Sequence, residues 1–171
     1  MELEFARGVY LNEEKACLVA EVTSIAGVKL PAHASYFMNF NSYEPRNLKA
    51  SQETLHKTAH IASICGTENV VFHTGFYLDD SPQKVRDTIK KYLVEVEVIE
   101  QLEKENNRLY LRLELSDKLS QFGNIEEILS LSTEMDRIAP GIDFTQWHTY
   151  SRGFSYYTGT NSGEIGPSCS G

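Results

Sequence analysis

Four side chains able to bind a metal or move a proton stand at the ends of strand-like runs in this sequence. Leu109-Tyr110-Leu111-Arg112-Leu113 alternates its apolar residues at period two and stops on Glu114. That is how a strand carries a functional group to the rim of a sheet. Val70-Val71-Phe72 stops on His73, Val28 to Ala32 on His33, and Gly141-Ile142 on Asp143 in the same manner. Imidazoles and carboxylates together suit zinc or a similar divalent ion, and a glutamate has two oxygens with which to bridge a pair of ions. Two such ions about 4 Å apart suit phosphodiester hydrolysis, one activating water and both holding the phosphoryl oxygens. Glu114 is the pivot of that chemistry.

These ligands lie 40, 41 and 29 residues apart, about the separations at which successive crossover units bring side chains to one edge of a parallel sheet. Any one of them alone reads as a cap or a surface group. Their recurrence in consecutive units points to a site, and a carboxylate ending a buried strand is costly without a partner. Other candidates are weaker. His56 and His60 have zinc-protease spacing, but the segment HKTAH lacks the glutamate after the first histidine, so a solvated helix face is expected. Cys17 and Cys65 read as small apolar fillers.

The elements that must position the four ligands can be traced in order. Leu3 to Ala6 suggests a short strand, and Asn12 before Glu13-Glu14 reads as a helix N-cap, with Gly27 at the C-terminus. Extended character resumes from Val28 to Ala34. Pro45-Arg46-Asn47 is expected to break the chain before a helix over 48–65, closed by Gly66. A strand follows at 69–73. Ser81-Pro82 opens the clearest helix, with Val85, Ile89, Tyr92, Val96, Ile99 and Leu102 at spacings of three and four, ending near Asn106-Asn107. After the Glu114 strand, Asn124 with Glu127 has the form of a capping box. Ile138 to Phe144 reads as a weaker strand. Five strands alternating with about four helices imply a parallel sheet with right-handed crossovers.

The chain of 171 residues suffices for one domain with a sizeable core, and 41% hydrophobic content is ordinary for a globular protein. No apolar run reaches the roughly 18 residues of a membrane span, and Met1-Glu2-Leu3-Glu4 lacks the character of a signal peptide. The chain reads as cytoplasmic, with no membrane partner. Three widely spaced cysteines suggest free thiols. The net charge of −8 argues against broad attraction to nucleic acid, though a local basic rim or bound metal reverses the potential at one site. From Thr149 onward Ser, Gly, Thr and Tyr dominate without apolar periodicity, so residues 1–148 are expected to form the domain and 149–171 an irregular tail.

The segments HASYFMN from His33, VFHTG from Val71, Leu113-Glu114 with KLSQFG from Lys118, and Ile142-Asp143-Phe144 resemble, in order, the metal-binding blocks of endonuclease IV, particularly its archaeal-type relatives. The resemblance spans most of residues 2 to 148. It implies a zinc-dependent (β/α)₈ barrel that cleaves DNA 5′ to abasic sites in base-excision repair. His33 and His73 would then hold one zinc, Glu114 would bridge it to a second, and Asp143 would bind that second ion, with manganese as an alternative metal. Tyr36 matches a tyrosine of the DNA-facing loop. Lys118 and Gln121 are candidates for contact with a phosphate.

The chain also departs from that pattern. Gln146 stands where the family has a histidine three places after the aspartate, while His148 resembles a second histidine of the archaeal-type version. One or two ions are expected rather than three. The opening strand of the barrel and its last two have no counterpart, so the expected fold is an incomplete (β/α)₈ barrel corresponding to strands two to six. The chain reads as part of a longer protein or a diverged remnant. Its open sheet edges favour self-association. A sugar isomerase or epimerase on the related xylose-isomerase-like barrel is the alternative enzyme, and a non-catalytic binding module the alternative outside enzymology.

Overall fold

The computed structural model describes residues 1–95, 99, 109–149 and 151. Its elements run β1 (Leu3–Glu4), α1 (Glu13–Ala26), β2 (Ala32–His33), α2 (Pro45–Ile64), β3 (Asn69–Phe72), α3 (Pro82–Glu95), β4 (Tyr110–Glu114), α4 (Ile125–Glu134) and β5 (Ile138–Gly141). The strands form one parallel sheet in the order β1-β2-β3-β4-β5. This is the strand-helix alternation expected of a partial (β/α)₈ barrel.

Period-two alternation divides the strands between two environments. Ala32, Val70, Phe72, Leu111 and Leu113 face the helices and are fully buried with Leu55 and Ala59 of α2, Ile89 and Leu93 of α3, and Ile128 and Leu131 of α4. The opposite face carries Glu4, His33, Val71, Arg112 and Glu114. Its mixed polar character is that of a barrel interior, and α2, α3 and α4 pack on the other face.

Register then sets the ligands' height. His33 pairs with Val71, and Phe72 pairs with Leu113, so His73, one residue on, lies beside Glu114. The two imidazoles reach the carboxylate from adjacent strands.

Local chemistry explains most of the boundaries. Asn12 caps α1 by accepting from Lys15 N, and Gly27 ends it at φ 64°, a conformation that favours glycine. Asn124 and Glu127 make the reciprocal capping box that opens α4. Three expectations need correction. Pro45-Arg46-Asn47 does not break the chain but forms the first turn of α2, since a proline there fixes φ and lacks only an N–H the helix would leave unused. The extended segment 28–34 is a strand only at Ala32–His33. The strand expected to reach Phe144 ends at Gly141, because Asp143 turns the chain into a helical segment over 144–149. The expected continuation of the α3 helix to Asn106-Asn107 lies, except for Ile99, outside the described residues. So does most of the expected tail, of which Thr149 and Ser151 are helical.

Leu113 points into the helix layer with no exposure while its neighbour Glu114 faces the opposite side. Leu113→Ala is expected to lower the unfolding free energy by about 2–5 kcal/mol through the cavity it leaves, read as a shift of the urea midpoint at unchanged slope.

Candidate metal centre

His33 and His73 converge on one oxygen. His33 Nε2 lies 2.9 Å from Glu114 Oε2 and His73 Nε2 lies 2.9 Å from the same atom. The three residues form the only group of potential metal ligands of this kind among the described residues, their ligand atoms all within 4.8 Å of one another. Glu114 is 8% exposed and His33 4%. Burial pushes the Glu114 carboxyl up, but the hydrogen bonds and charges of His33 and His73 outweigh it and hold the group at about 2. Burial likewise pulls His33 down, and contact with Glu114 and the Ala34 carbonyl leaves it above its ordinary value.

The donor set is compatible with a bound cation. His33 Nδ1 donates to the Ala34 carbonyl at 2.7 Å, so in the neutral ring Nε2 is a lone pair aimed at a carboxylate oxygen. Two acceptors do not face each other at that distance without a proton or a cation between them. His73 Nδ1 is buried without a hydrogen-bond partner, so for that ring only Nε2 is engaged. Two imidazole nitrogens and a carboxylate oxygen suit zinc or a comparable divalent ion.

The other sequence candidates fall in different places. Asp143 lines the same cavity of about 360 Å³ as Glu2, His33, Arg112 and Glu114, but its carboxylate lies outside the three-residue group. Its Oδ1 accepts from Thr145 N at 2.6 Å and Gln146 N at 3.4 Å, capping the helical segment. His148 is exposed on that segment. Tyr36 stacks on His33 with ring centroids 4.6 Å apart, and its hydroxyl donates to Glu4 Oε1 at 3.1 Å. Burial, then the contact with Glu4, raises that phenol to about 12. Lys118 is exposed in the loop after β4. Gln121 does not face outward as a phosphate contact would require. It is buried, and its Oε1 accepts from Ser116 Oγ at 2.8 Å. His60 lies on the surface of α2 near Glu13, at 3.1 Å, as its helix-face reading implied.

The loops after β3 and β4 are joined. Phe122 N donates to Gly75 O and Tyr77 N to Ser120 O, both at 3.0 Å, while Ser116 N donates to Gly123 O at 2.9 Å. Gly123 sits at φ 137°, where a Cβ would fall 2.9 Å from the Glu114 carbonyl oxygen. Glu127 Oε2 accepts from Gly123 N and Asn124 N, and its Oε1 accepts from Tyr77 OH at 2.6 Å. The backbone behind Glu114 is therefore fixed from both sides.

Sequence reasoning did not single out Arg112, although its place two residues before Glu114 in an alternating strand puts it on the same face. It donates to Pro140 O at 3.0 Å and to Asn69 Oδ1, within the cavity wall.

A parallel strand-helix arc with a histidine-carboxylate group at the carboxyl ends of its strands has that group where (β/α)₈ barrels build their active sites. The chain belongs to the family described as xylose isomerase-like TIM barrel, whose model matches residues 1–165. It is 37% identical over 153 residues to an uncharacterized protein of Methanocaldococcus jannaschii, covering 90% of this chain and 54% of that protein. Among solved structures it resembles a D-tagatose 3-epimerase-like protein (TM-score 0.68, 20% identity, 85% of this chain and 57% of that one). It resembles endonuclease IV from Thermus thermophilus equally in shape (TM-score 0.68, 17% identity, 88% and 53%). The chain thus spans about half the length of the relatives it matches. At these identities the structural likeness establishes the fold alone. No described helix is long and apolar enough to cross a membrane.

The metal-free protein should show a stability window set by its centre. The depressed Glu114 carboxyl contributes stability that is present above its ordinary 4.5 and lost as pH falls through about 2. The raised His33 contributes stability present below its ordinary 6.5 and lost as pH rises through its folded value. Melting temperatures in chelator should therefore be highest between about pH 4.5 and 6.5. Glu114→Gln should flatten both flanks.

Proposed function

We propose that this chain carries the metal centre of a divalent-metal phosphodiesterase of the endonuclease IV kind, acting on DNA at abasic sites, with zinc as its ion and manganese as the alternative. The observation that carries the reading is the approach of two imidazole nitrogens to one buried carboxylate oxygen. A divalent ion bound there supplies Lewis acidity toward a phosphoryl oxygen and lowers the pKa of a coordinated water toward about 7.

The chain's own residues do the rest. His33 and His73 would hold the ion, and the Ala34 carbonyl keeps His33 in the tautomer that presents Nε2. Glu114, held at about 2, stays a carboxylate throughout the physiological range. Tyr36 covers one side of the histidines and stays protonated, so its hydroxyl remains a hydrogen-bond donor at the mouth of the site. Lys118 is the exposed cation on the loop that follows Glu114, suited to a backbone phosphate. With a net charge of −8, attraction to DNA would have to be local rather than spread over the surface. The uncovered sheet face and the edge strands β1 and β5 would favour association with further strands, from the same protein or a second copy.

One observation favours a second reading, a sugar isomerase or epimerase. Gln146 Nε2 donates to Glu114 Oε1 at 3.0 Å, so only Oε2 faces the two imidazoles, and a single ion suffices to polarise a hydroxy-ketone. A paired assay separates the two. The zinc-loaded chain is expected to nick a duplex 5′ to an abasic site, with loss in chelator and a fall of about 10²-fold or more in His73→Ala. Epimerisation of a ketose without nicking would establish the second reading instead. Metal binding with neither activity would leave a non-catalytic binding module.

A further inference from the structure

We infer that the centre takes a single divalent ion, and that Gln146 is the positioning residue that keeps a second one out. The inference rests on the metal reading above and deepens it by setting the number of ions.

The two oxygens of Glu114 have different neighbours. Oε2 faces both imidazoles, whereas Oε1 accepts the Gln146 amide at 3.0 Å. The orientation of that amide follows from its partner: an ionised carboxylate only accepts, so the NH₂ end must face it. Bridging two cations would require a lone pair of Oε1 free to meet the second ion. The Gln146 N–H, neutral and unable to ligate a metal, takes one of the two lone pairs of that oxygen.

Gln146 is itself held in place. Asp143 Oδ1 accepts from Thr145 N and Gln146 N, and Trp147 N donates to the Asp143 carbonyl at 2.8 Å, so Gln146 occupies the first turn of the helical segment over 144–149. From there its half-buried side chain reaches back across to β4. The same turn engages an Asp143 oxygen as a cap, which removes it as a ready ligand for another ion.

Arg112 lines the cavity together with Glu2, Glu114 and Asp143, its guanidinium held by Pro140 O and Asn69 Oδ1. Only His33, His73 and Glu114 form a ligand group among the described residues, and His148 is exposed on the helical segment. The described residues therefore offer three ligand atoms for one ion and no comparable set for another.

The test is a titration of the whole chain with Mn²⁺, followed by native mass spectrometry for stoichiometry and electron paramagnetic resonance for coupling between ions. The wild-type chain is expected to bind one equivalent with an uncoupled spectrum. Gln146→Glu, of the same shape but with a carboxylate facing Oε1, is expected to take up a second equivalent and give a spin-coupled spectrum. Gln146→Leu should still bind one ion, about 10–100-fold more weakly. Two equivalents with a coupled spectrum in the wild type would overturn the inference and leave the metal reading intact. No bound metal would remove both. Unchanged affinity in Gln146→Leu would overturn the positioning role, and if that variant does not fold, the wild-type and Gln146→Glu stoichiometries decide.

Discussion

A buried carboxylate oxygen that two imidazoles approach at once is the constraint on which this structure turns. Glu114 is almost fully enclosed, and an ionised carboxylate in such a place is costly unless charge or hydrogen bonds compensate for lost water. The compensation comes from β2, from the residue after β3, and from the helical segment after β5. Three separate crossover units must therefore be in register before the group is satisfied. That requirement couples the chemistry to the topology, since a slip of one residue would turn either histidine toward the helix layer.

The loops beyond the strands serve that alignment. Gly75 and Phe122 join the segments after β3 and β4, and Glu127 gathers Gly123, Asn124 and Tyr77 around one carboxylate. Asn39 and Asn41 join the loop after β2 to the same frame: Asn39 Oδ1 accepts from Phe76 N at 3.3 Å, and Asn41 Nδ2 donates to Phe76 O at 3.1 Å. A metal site needs ligands placed within about half an ångström, and packed loops between rigid strands supply that precision better than free ones. The KLSQFG segment, read as a route to DNA, is largely part of this frame, with Lys118 its outward-facing charge.

The family sets the frame within which the site acts, and its relatives of known structure include both an epimerase-like protein and an endonuclease. A shared barrel does not choose between those chemistries. The choice lies in the ligands and what surrounds them. His33 and His73 both approach Oε2 of Glu114, whereas Gln146 donates to its Oε1. Arg112 adds a fixed cation to the floor of the cavity, and the sheet face that carries it is open where further strands of a barrel would lie.

Much of the fold was legible because it depends on local rules. Alternation in Leu109 to Leu113 marks a strand with one buried face, Asn12 and Asn124 mark helix starts, and the spacing of Val85 and Ile89 marks a face packed on the sheet. His33, His73 and Glu114 could be named from their places at strand ends, since register and crossover length carry them to a common rim. The position of Asp143 could be read, but not its use as a helix cap, and Pro45 looked like a break when it was a beginning. Gln121 gave no sign that it would be buried, nor Gln146 that it would hold Glu114. Those outcomes belong to the tertiary structure because they are set by hydrogen bonds such as that from Gln146 to Glu114, 32 positions apart in the chain. No pattern within either segment specifies a meeting that exists only once the strands are assembled side by side.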